Sequence, residues 1–132
     1  MKCQVVKSSE FEAWWRGLRE DEQNSVTAAV TRLQREGVTL GHPRSSEVKS
    51  SRHGNMRELR IQSGGQAIRV FYAFDPRRTA VVLVGGRKRG QEKRFYRDHV
   101  RRADAIYDEY LRQLRRGQFR EREDSRDQGR DR

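Results

Sequence analysis

Apolar and polar positions alternate strictly in two neighbouring segments, which is the period of a half-buried strand. In residues 56–62, Leu59 and Ile61 fall on one side while Glu58 and Arg60 fall on the other. A turn at SGG then leads into residues 66–75, and DPRR forms a second turn before the apolar, β-branched run 79–84. That run predicts a central strand covered on both faces. The alternation of the middle strand places Ile68, Val70, Tyr72 and Phe74 on one face and Arg69, Phe71 and Ala73 on the other.

Helical spacing of apolar residues appears before and after these strands. Ser9 followed by Glu12 has the pattern of a capping box, and predicts the start of the first helix. A second helix ends near Gly37, so the two should form an antiparallel hairpin behind a short strand at residues 3–6. Residues 37–55 show no period and are predicted to be a long loop. A third helix follows the strands, with apolar positions at Tyr96, Val100, Ala103, Tyr107, Tyr110 and Leu114.

These elements predict an α+β fold of order β-α-α-β-β-β-α. The sheet is expected to be twisted and mainly antiparallel, with the helices packed on one face. Residues 116–132 hold almost no apolar side chains, and the charges of residues 117–132 cancel, so we expect a disordered tail after a folded domain at residues 1–115.

Composition bounds the function more than the fold. Only 33% of the 132 residues are hydrophobic, and the formal net charge of +11 favours a polyanionic partner such as RNA. The single cysteine, Cys3, excludes a disulfide within the chain. No apolar run is long enough to cross a bilayer and no signal peptide is visible, so we expect a cytoplasmic protein. No metal-binding spacing appears, and no cofactor is implied.

One face of the predicted sheet carries charges. Glu58, Arg60 and Arg69 share it with Phe71, on the parity opposite to Leu59. A solvated face of an antiparallel sheet commonly looks like this. An aromatic ring among cations also suits a stacked RNA base, which would make Phe71 an RNA-binding residue.

Two further cationic segments could reach that face. The stretch 87–102 holds eight Lys or Arg against two acids, and its first residues follow a strand end beside a helix start. Cations, flexible backbone and a helix N-terminus together suit a phosphate. The loop before the second strand supplies the others. The RNA-binding candidates from these segments are Arg87, Lys88, Arg89, Arg94, Lys49, Arg52, His53 and Arg57, of which Arg57 is the weakest because it shares the parity of Leu59.

The stretches NMRELRIQ, IRVFYAFDPRRTAVVLVGGRK and RFYRDHVRRADAIYDEYL resemble the RelE/ParE superfamily of toxins from toxin–antitoxin modules, in particular its HigB-like, phage-derived branch. The resemblance spans roughly residues 1–115. It implies an mRNA interferase that cleaves messenger RNA, typically on the ribosome, by metal-independent attack of the 2′-hydroxyl. It also implies an antitoxin partner that is acidic or contains a helix-turn-helix.

In RelE-like members an arginine on the middle strand contacts the scissile phosphate, and Arg69 matches that position. The cation after the last strand corresponds to Lys88 or Arg87, and a following tyrosine corresponds loosely to Tyr96. Arg60, on the same predicted face, is a further candidate for binding the phosphate. The lysines that some members carry on the preceding strand are absent, because Glu58 stands there. The general base therefore stays open between Glu58, His53, Tyr96 and Lys88.

Two other functions remain open at this point. ParE-like members of the same superfamily inhibit DNA gyrase without cleaving anything, and such a protein needs no catalytic face. A plain nucleic-acid-binding protein would bind RNA with a steep salt dependence and cut nothing.

Overall fold

The computed structural model describes residues 1–130, with the side chains of residues 1–117. Its strands form one mixed sheet in which the first strand pairs in parallel with the last and the other pairs are antiparallel. In chain order the elements are β1 Val5–Lys7, α1 Ser9–Arg16, α2 Glu20–Glu36, a 3₁₀ turn Gly37–Thr39, β2 Ser45–Glu47, β3 Met56–Ser63, β4 Gln66–Phe74, β5 Ala80–Arg87 and α3 Glu92–Arg130. The order across the sheet is β1-β5-β4-β3-β2. The predicted α+β fold with a helical hairpin and a C-terminal helix is confirmed.

The central hairpin forms as its sequence predicts. Gly64 and Gly65 connect β3 to β4 with φ values of 54° and 79°, which a two-residue turn of this kind requires at both positions. The register then places Arg60 opposite Arg69.

Two local expectations differ from the structure by small shifts. The side chain that caps α1 is Ser8, not Ser9: its hydroxyl accepts a hydrogen bond from the backbone N–H of Phe11 at 2.9 Å. The stretch 37–55, predicted to be loop throughout, contains the 3₁₀ turn and the short edge strand β2. Strand β2 is too short for its alternation to be visible in the sequence.

A first core lies between the sheet and the α1–α2 hairpin. Both Trp side chains, Trp14 and Trp15, pack at its margin. Its buried members include Phe11, Val26, Val30, Leu33, Leu59, Ile61, Ile68, Val70 and Tyr72.

A second core lies on the opposite face, under α3, so the expectation that the helices pack on one face is wrong. Phe71 and Ala73, assigned to the polar face, are fully buried there with Val81 and Leu83 from β5. Helix α3 covers them with Phe95, Val100, Ala103 and Tyr107. The apolar face of α3 needs an apolar partner, and this side of the sheet provides it.

Helix α3 continues to Arg130, through most of the segment for which we predicted disorder. Side chains are described only to residue 117, and residues 131–132 lie outside the described residues. The boundary of the folded domain at residue 115 therefore stays a prediction.

Candidate active site

Glu58 and Arg69 form a buried ion pair on the α3 side of the sheet. Their strands β3 and β4 pair so that Glu58 lies opposite Phe71, and the two charged side chains meet on the same face. The Arg69 Nε atom lies 3.0 Å from Glu58 Oε1, and the side chains are 8% and 6% exposed. The Nε–H points at no acceptor, so this contact is an ion pair without a directional hydrogen bond. Arg69 also donates from Nη1 to the carbonyl of Ile68 at 3.1 Å.

Tyr96 links this pair to helix α3. It projects from the first turns of α3 and its hydroxyl donates a 2.6 Å hydrogen bond to Glu58 Oε1. Burial raises the pKa of the Tyr96 phenol, and the hydrogen bond to Glu58 raises it further. The phenol therefore stays protonated at neutral pH and acts as a donor to the carboxylate.

Three charged residues form the rim of the site. Lys88 Nζ lies 2.6 Å from Glu92 Oε1 and 5.8 Å from the centre of the Tyr96 ring. The Lys88 ammonium group is the main cause of a lowered pKa at Glu92, and the charges of Arg69 and Arg60 add to it. Arg60 is exposed. We call Glu58, Arg69, Tyr96 and this rim of Arg60, Lys88 and Glu92 the Arg69 cluster.

Arg87 does not belong to this cluster, although the sequence suggests that it could. Its guanidinium binds Glu22 of α2 on the opposite face of the sheet, with Nε–Oε2 and Nη2–Oε1 distances of 2.7 and 2.5 Å. Its assignment as an RNA-binding residue is therefore corrected: Arg87 ties β5 to the helical hairpin.

Phe71 is not available to stack on a base. It has no exposed surface and packs against Phe95, Tyr96 and His99, with ring centres 6.1–6.2 Å apart. The RNA-binding assignment of Phe71 is corrected for that reason, because Phe71 belongs to the second core, under α3.

His53 contacts α3 several turns beyond the Arg69 cluster. Its Nε2 atom is 2.7 Å from Asp108 Oδ1, and Arg52 binds the other oxygen of the same carboxylate. Asp108 is twelve residues beyond Tyr96, which is about 18 Å along a helix. His53 is therefore not placed to serve as the base of the Arg69 cluster.

The remaining candidate cations are spread over the surface. Arg57 projects toward the first core side, where its Nε donates to Ser45 Oγ at 3.0 Å. Arg89 donates to Gln66 Oε1 at 3.3 Å, while Arg94 and Lys49 are exposed. Their roles in RNA binding stay predictions.

Two acids, Glu92 and Glu22, take roles that were not predicted from the sequence. The spacing of Lys88 and Glu92, four residues apart across the start of α3, is the signal for the first. No pattern in the sequence indicates that Glu22, an acid in the first turn of an exposed-looking helix, is completely buried against Arg87.

Within residues 1–130, no helix has the length and apolarity that crossing a membrane requires. Among residues 1–117, whose side chains the structure describes, no group of three or more His, Cys, Asp or Glu side chains is arranged to hold a metal ion.

The fold resembles that of a solved toxin. A free-state structure of Escherichia coli toxin RelE, in a form with two arginines replaced by alanine, superposes with a TM-score of 0.53 over 70% of this chain and 90% of that one. The sequences are only 11% identical, so the likeness concerns the fold alone. It shows that the chain has an α+β fold like that of RelE.

Sequence similarity then gives the family. Residues 13–108 match the family model described as phage derived protein Gp49-like (DUF891), and the chain belongs to that family. It is 40% identical over 107 residues to the candidate toxin HigB3 of Mycobacterium tuberculosis, which covers 81% of this chain and 92% of that protein. It is also 40% identical over 103 residues to the candidate toxin HigB2 of the same organism, covering 77% of this chain and 51% of HigB2. The predicted resemblance to HigB-like toxins is confirmed.

Proposed function

We propose that this chain is the toxin of a toxin–antitoxin module and that it cleaves translated mRNA on the ribosome. The family and the HigB-like relatives support the first statement. The Arg69 cluster carries the second, because it combines a carboxylate, a phenol and several cations at one end of α3. RNA cleavage by its own 2′-hydroxyl needs these groups: an acceptor for one proton, a donor for another, and positive charge around the phosphate.

The base in this proposal is Glu58 acting through Tyr96. Glu58 is 4% exposed, so an RNA sugar cannot touch it directly, whereas the half-buried Tyr96 hydroxyl bridges the carboxylate and the outside. As the 2′-oxygen attacks phosphorus, its proton passes to the Tyr96 oxygen while the phenol proton moves to Glu58. The raised pKa of Tyr96 suits a relay that never becomes a stable phenolate. In this mechanism Glu58, and not His53, is the general base.

Positive charge stabilises the phosphate as it gains negative charge. Arg60 and Lys88 are the accessible cations of the cluster, and each donor aimed at the developing charge is worth roughly 3 kcal/mol. Arg69 was expected to contact the phosphate directly, but only 8% of its side chain is exposed. In this mechanism it holds Glu58 in position and contributes a fixed positive charge in a poorly solvated environment.

Lys88 supplies the second proton. Its ammonium group lies against the Tyr96 ring and is 21% exposed, so it can donate to the 5′-oxygen as the P–O bond breaks. The RNA products are then a 2′,3′-cyclic phosphate and a 5′-hydroxyl, with Glu58 protonated and Lys88 neutral until the solvent restores both. No proton is gained or lost overall.

An antitoxin is the expected protein partner. A chain of net charge +11 attracts an acidic or amphipathic segment of an antitoxin. Binding of that segment to the toxin would suppress its toxicity.

The proposal is tested by inducing the chain in growing bacteria and mapping the 5′ ends of transcripts. We expect cuts within translated regions and growth arrest. Tyr96→Phe should remove both, while Arg35→Ala on the exposed surface of α2 should remove neither. Cutting that persists in Tyr96→Phe would contradict the mechanism. DNA damage signalling with intact transcripts would instead favour gyrase inhibition.

A further inference from the structure

A basic groove runs along α3 away from the Arg69 cluster. It encloses about 700 Å³ between the helix and the loop that follows β2. Tyr96 belongs both to its wall and to the cluster, so the groove begins at the candidate active site. It extends to Asp104, eight residues further and therefore about 12 Å along the helix. Ser50 and Arg52 form its opposite side.

Three exposed cations form a regular row in this groove: Lys93, Arg97 and Arg101. They are four residues apart, which places them on one side of the helix at steps of about 6 Å. Among the side chains that the structure describes, those of Lys93 and Arg101 take part in no ion pair or hydrogen bond. Arg97 forms an ion pair with its neighbour Asp98 at 3.3 Å, and both side chains are well exposed. Such a surface ion pair contributes little to stability, so a phosphate can displace Asp98 from Arg97 at little cost.

The acids of the groove are already engaged. Glu92 binds Lys88 at its upper end. Asp104 is 5% exposed and accepts hydrogen bonds from the Ser51 hydroxyl at 2.5 Å and the Arg52 backbone N–H at 3.3 Å. Of these two acids, Glu92 is offset by the ammonium group of Lys88, which leaves the charge of Asp104 against the row of three cations. Arg52 itself is held by Asp108, so it shapes the wall of the groove.

We propose that this groove binds a single strand of RNA, whose phosphates lie on Lys93, Arg97 and Arg101. This inference rests on the proposed function, because it assigns the path of the strand on one side of the scissile phosphate. A repeating row of cations suits a polymer with one charge per residue better than it suits a compact anion. The channel also leads directly to the hydroxyl that would receive the 2′-proton.

The test measures binding without cleavage. The probe is a fluorescent single-stranded oligonucleotide of uridines with 2′-O-methyl sugars, which has no attacking hydroxyl. Binding of the full chain is measured by fluorescence anisotropy over a series of salt concentrations. In Lys93→Gln/Arg97→Gln/Arg101→Gln, affinity at low salt should fall at least tenfold. The slope of log K against log salt should become shallower by about 2, because each phosphate contact on a single strand contributes roughly 0.7.

The matched control removes the same charges elsewhere. Lys7→Gln/Arg16→Gln/Arg35→Gln also exchanges one lysine and two arginines, all exposed and located on β1, α1 and α2. Its slope should stay within about half a unit of the parent's. The charge-conserving Lys93→Arg/Arg97→Lys/Arg101→Lys should retain the parental slope.

Equal slopes for parent and groove variant, or equal losses for groove and control variants, would overturn the inference. Retained RNA affinity together with lost binding of an acidic peptide would also overturn it, in favour of a protein partner. Because the probe cannot be cleaved, a failure of the proposed mechanism leaves this result unchanged and is recognised separately in the cleavage assay.

Discussion

The buried ion pair between Glu22 and Arg87 provides the sharpest prediction about stability. Glu22 has no exposed surface, and its carboxylate also accepts a hydrogen bond from the backbone N–H of Arg19 at 3.1 Å. The hydrogen bond from Arg87 is the main cause that lowers the pKa of Glu22 from 4.5 to about 2. At 1.36 kcal/mol per pKa unit, the folded state gains about 3 kcal/mol at neutral pH from Glu22 being ionised. Breaking buried pairs in other proteins costs a similar amount.

Glu22→Gln should therefore lower the free energy of unfolding at pH 7 by about 3 kcal/mol, measured by urea denaturation followed by circular dichroism. The dependence on pH has a definite sign. Because the folded pKa lies below the unfolded one, the stabilisation is present above pH 4.5 and is lost as the pH falls toward 2. The difference between parent and variant should shrink over that window and nearly vanish at its lower end.

The neighbouring acid serves as the control. Asp21 is 57% exposed and also contacts Arg19, so Asp21→Asn should change the free energy of unfolding by less than about 1 kcal/mol. Equal effects of the two substitutions at pH 7, or a Glu22→Gln deficit that persists unchanged at pH 2, would refute the assignment of the stability to the buried pair.

Two further predictions concern the second core. Phe71→Ala should lower the free energy of unfolding by about 3–5 kcal/mol, because removing a fully buried ring leaves a cavity under α3. Urea denaturation measures this free energy, and a loss below about 1 kcal/mol would contradict the burial of Phe71. In Gly86→Ala the new methyl group would lie 2.3 Å from His99 Nε2, so thermal unfolding should shift to lower temperature by a few degrees or more. Gly54→Ala, where a methyl group meets nothing within 4 Å, should unfold like the parent, and the reasoning fails if both variants behave alike.

The sequence predicts the sheet well where one residue in two is buried. The alternation in β3 and β4 places Leu59 and Val70 in one core, and the two glycines of the turn set the register that puts Arg60 opposite Arg69. The same alternation predicts that Arg69 and Glu58 share a face, and the structure brings Arg69 Nε within 3.0 Å of Glu58 Oε1.

The sequence of β5 contains a signal that both faces of the sheet are covered. A strand as apolar as β5 needs a layer on each side, and that expectation conflicts with an open face carrying Phe71. Alternation shows only that Phe71 and Arg69 point the same way. The distinction between a stacking platform and a core depends on where α3 packs, which is a long-range property.

The side of the sheet taken by Arg87 could not be predicted from the sequence. Phe71 pairs with Val84 and Tyr72 with Val82, so Leu83 is an extra residue in β5. This bulge reverses the alternation beyond it and directs Arg87 to the α2 side, where it meets Glu22. Without the bulge, simple alternation from Val82 would have put Arg87 beside the Arg69 cluster.

The central claim is that the Arg69 cluster cleaves RNA through its 2′-hydroxyl. The most direct measurement adds the purified chain to translating ribosomes and determines the chemistry of the mRNA ends. We expect 5′-hydroxyl and 2′,3′-cyclic phosphate ends, with a rate that falls at least about 100-fold in Tyr96→Phe and in Arg69→Ala. Intact mRNA with the parent chain, 5′-phosphate ends, or unchanged cleavage in the folded Tyr96→Phe variant would contradict the claim.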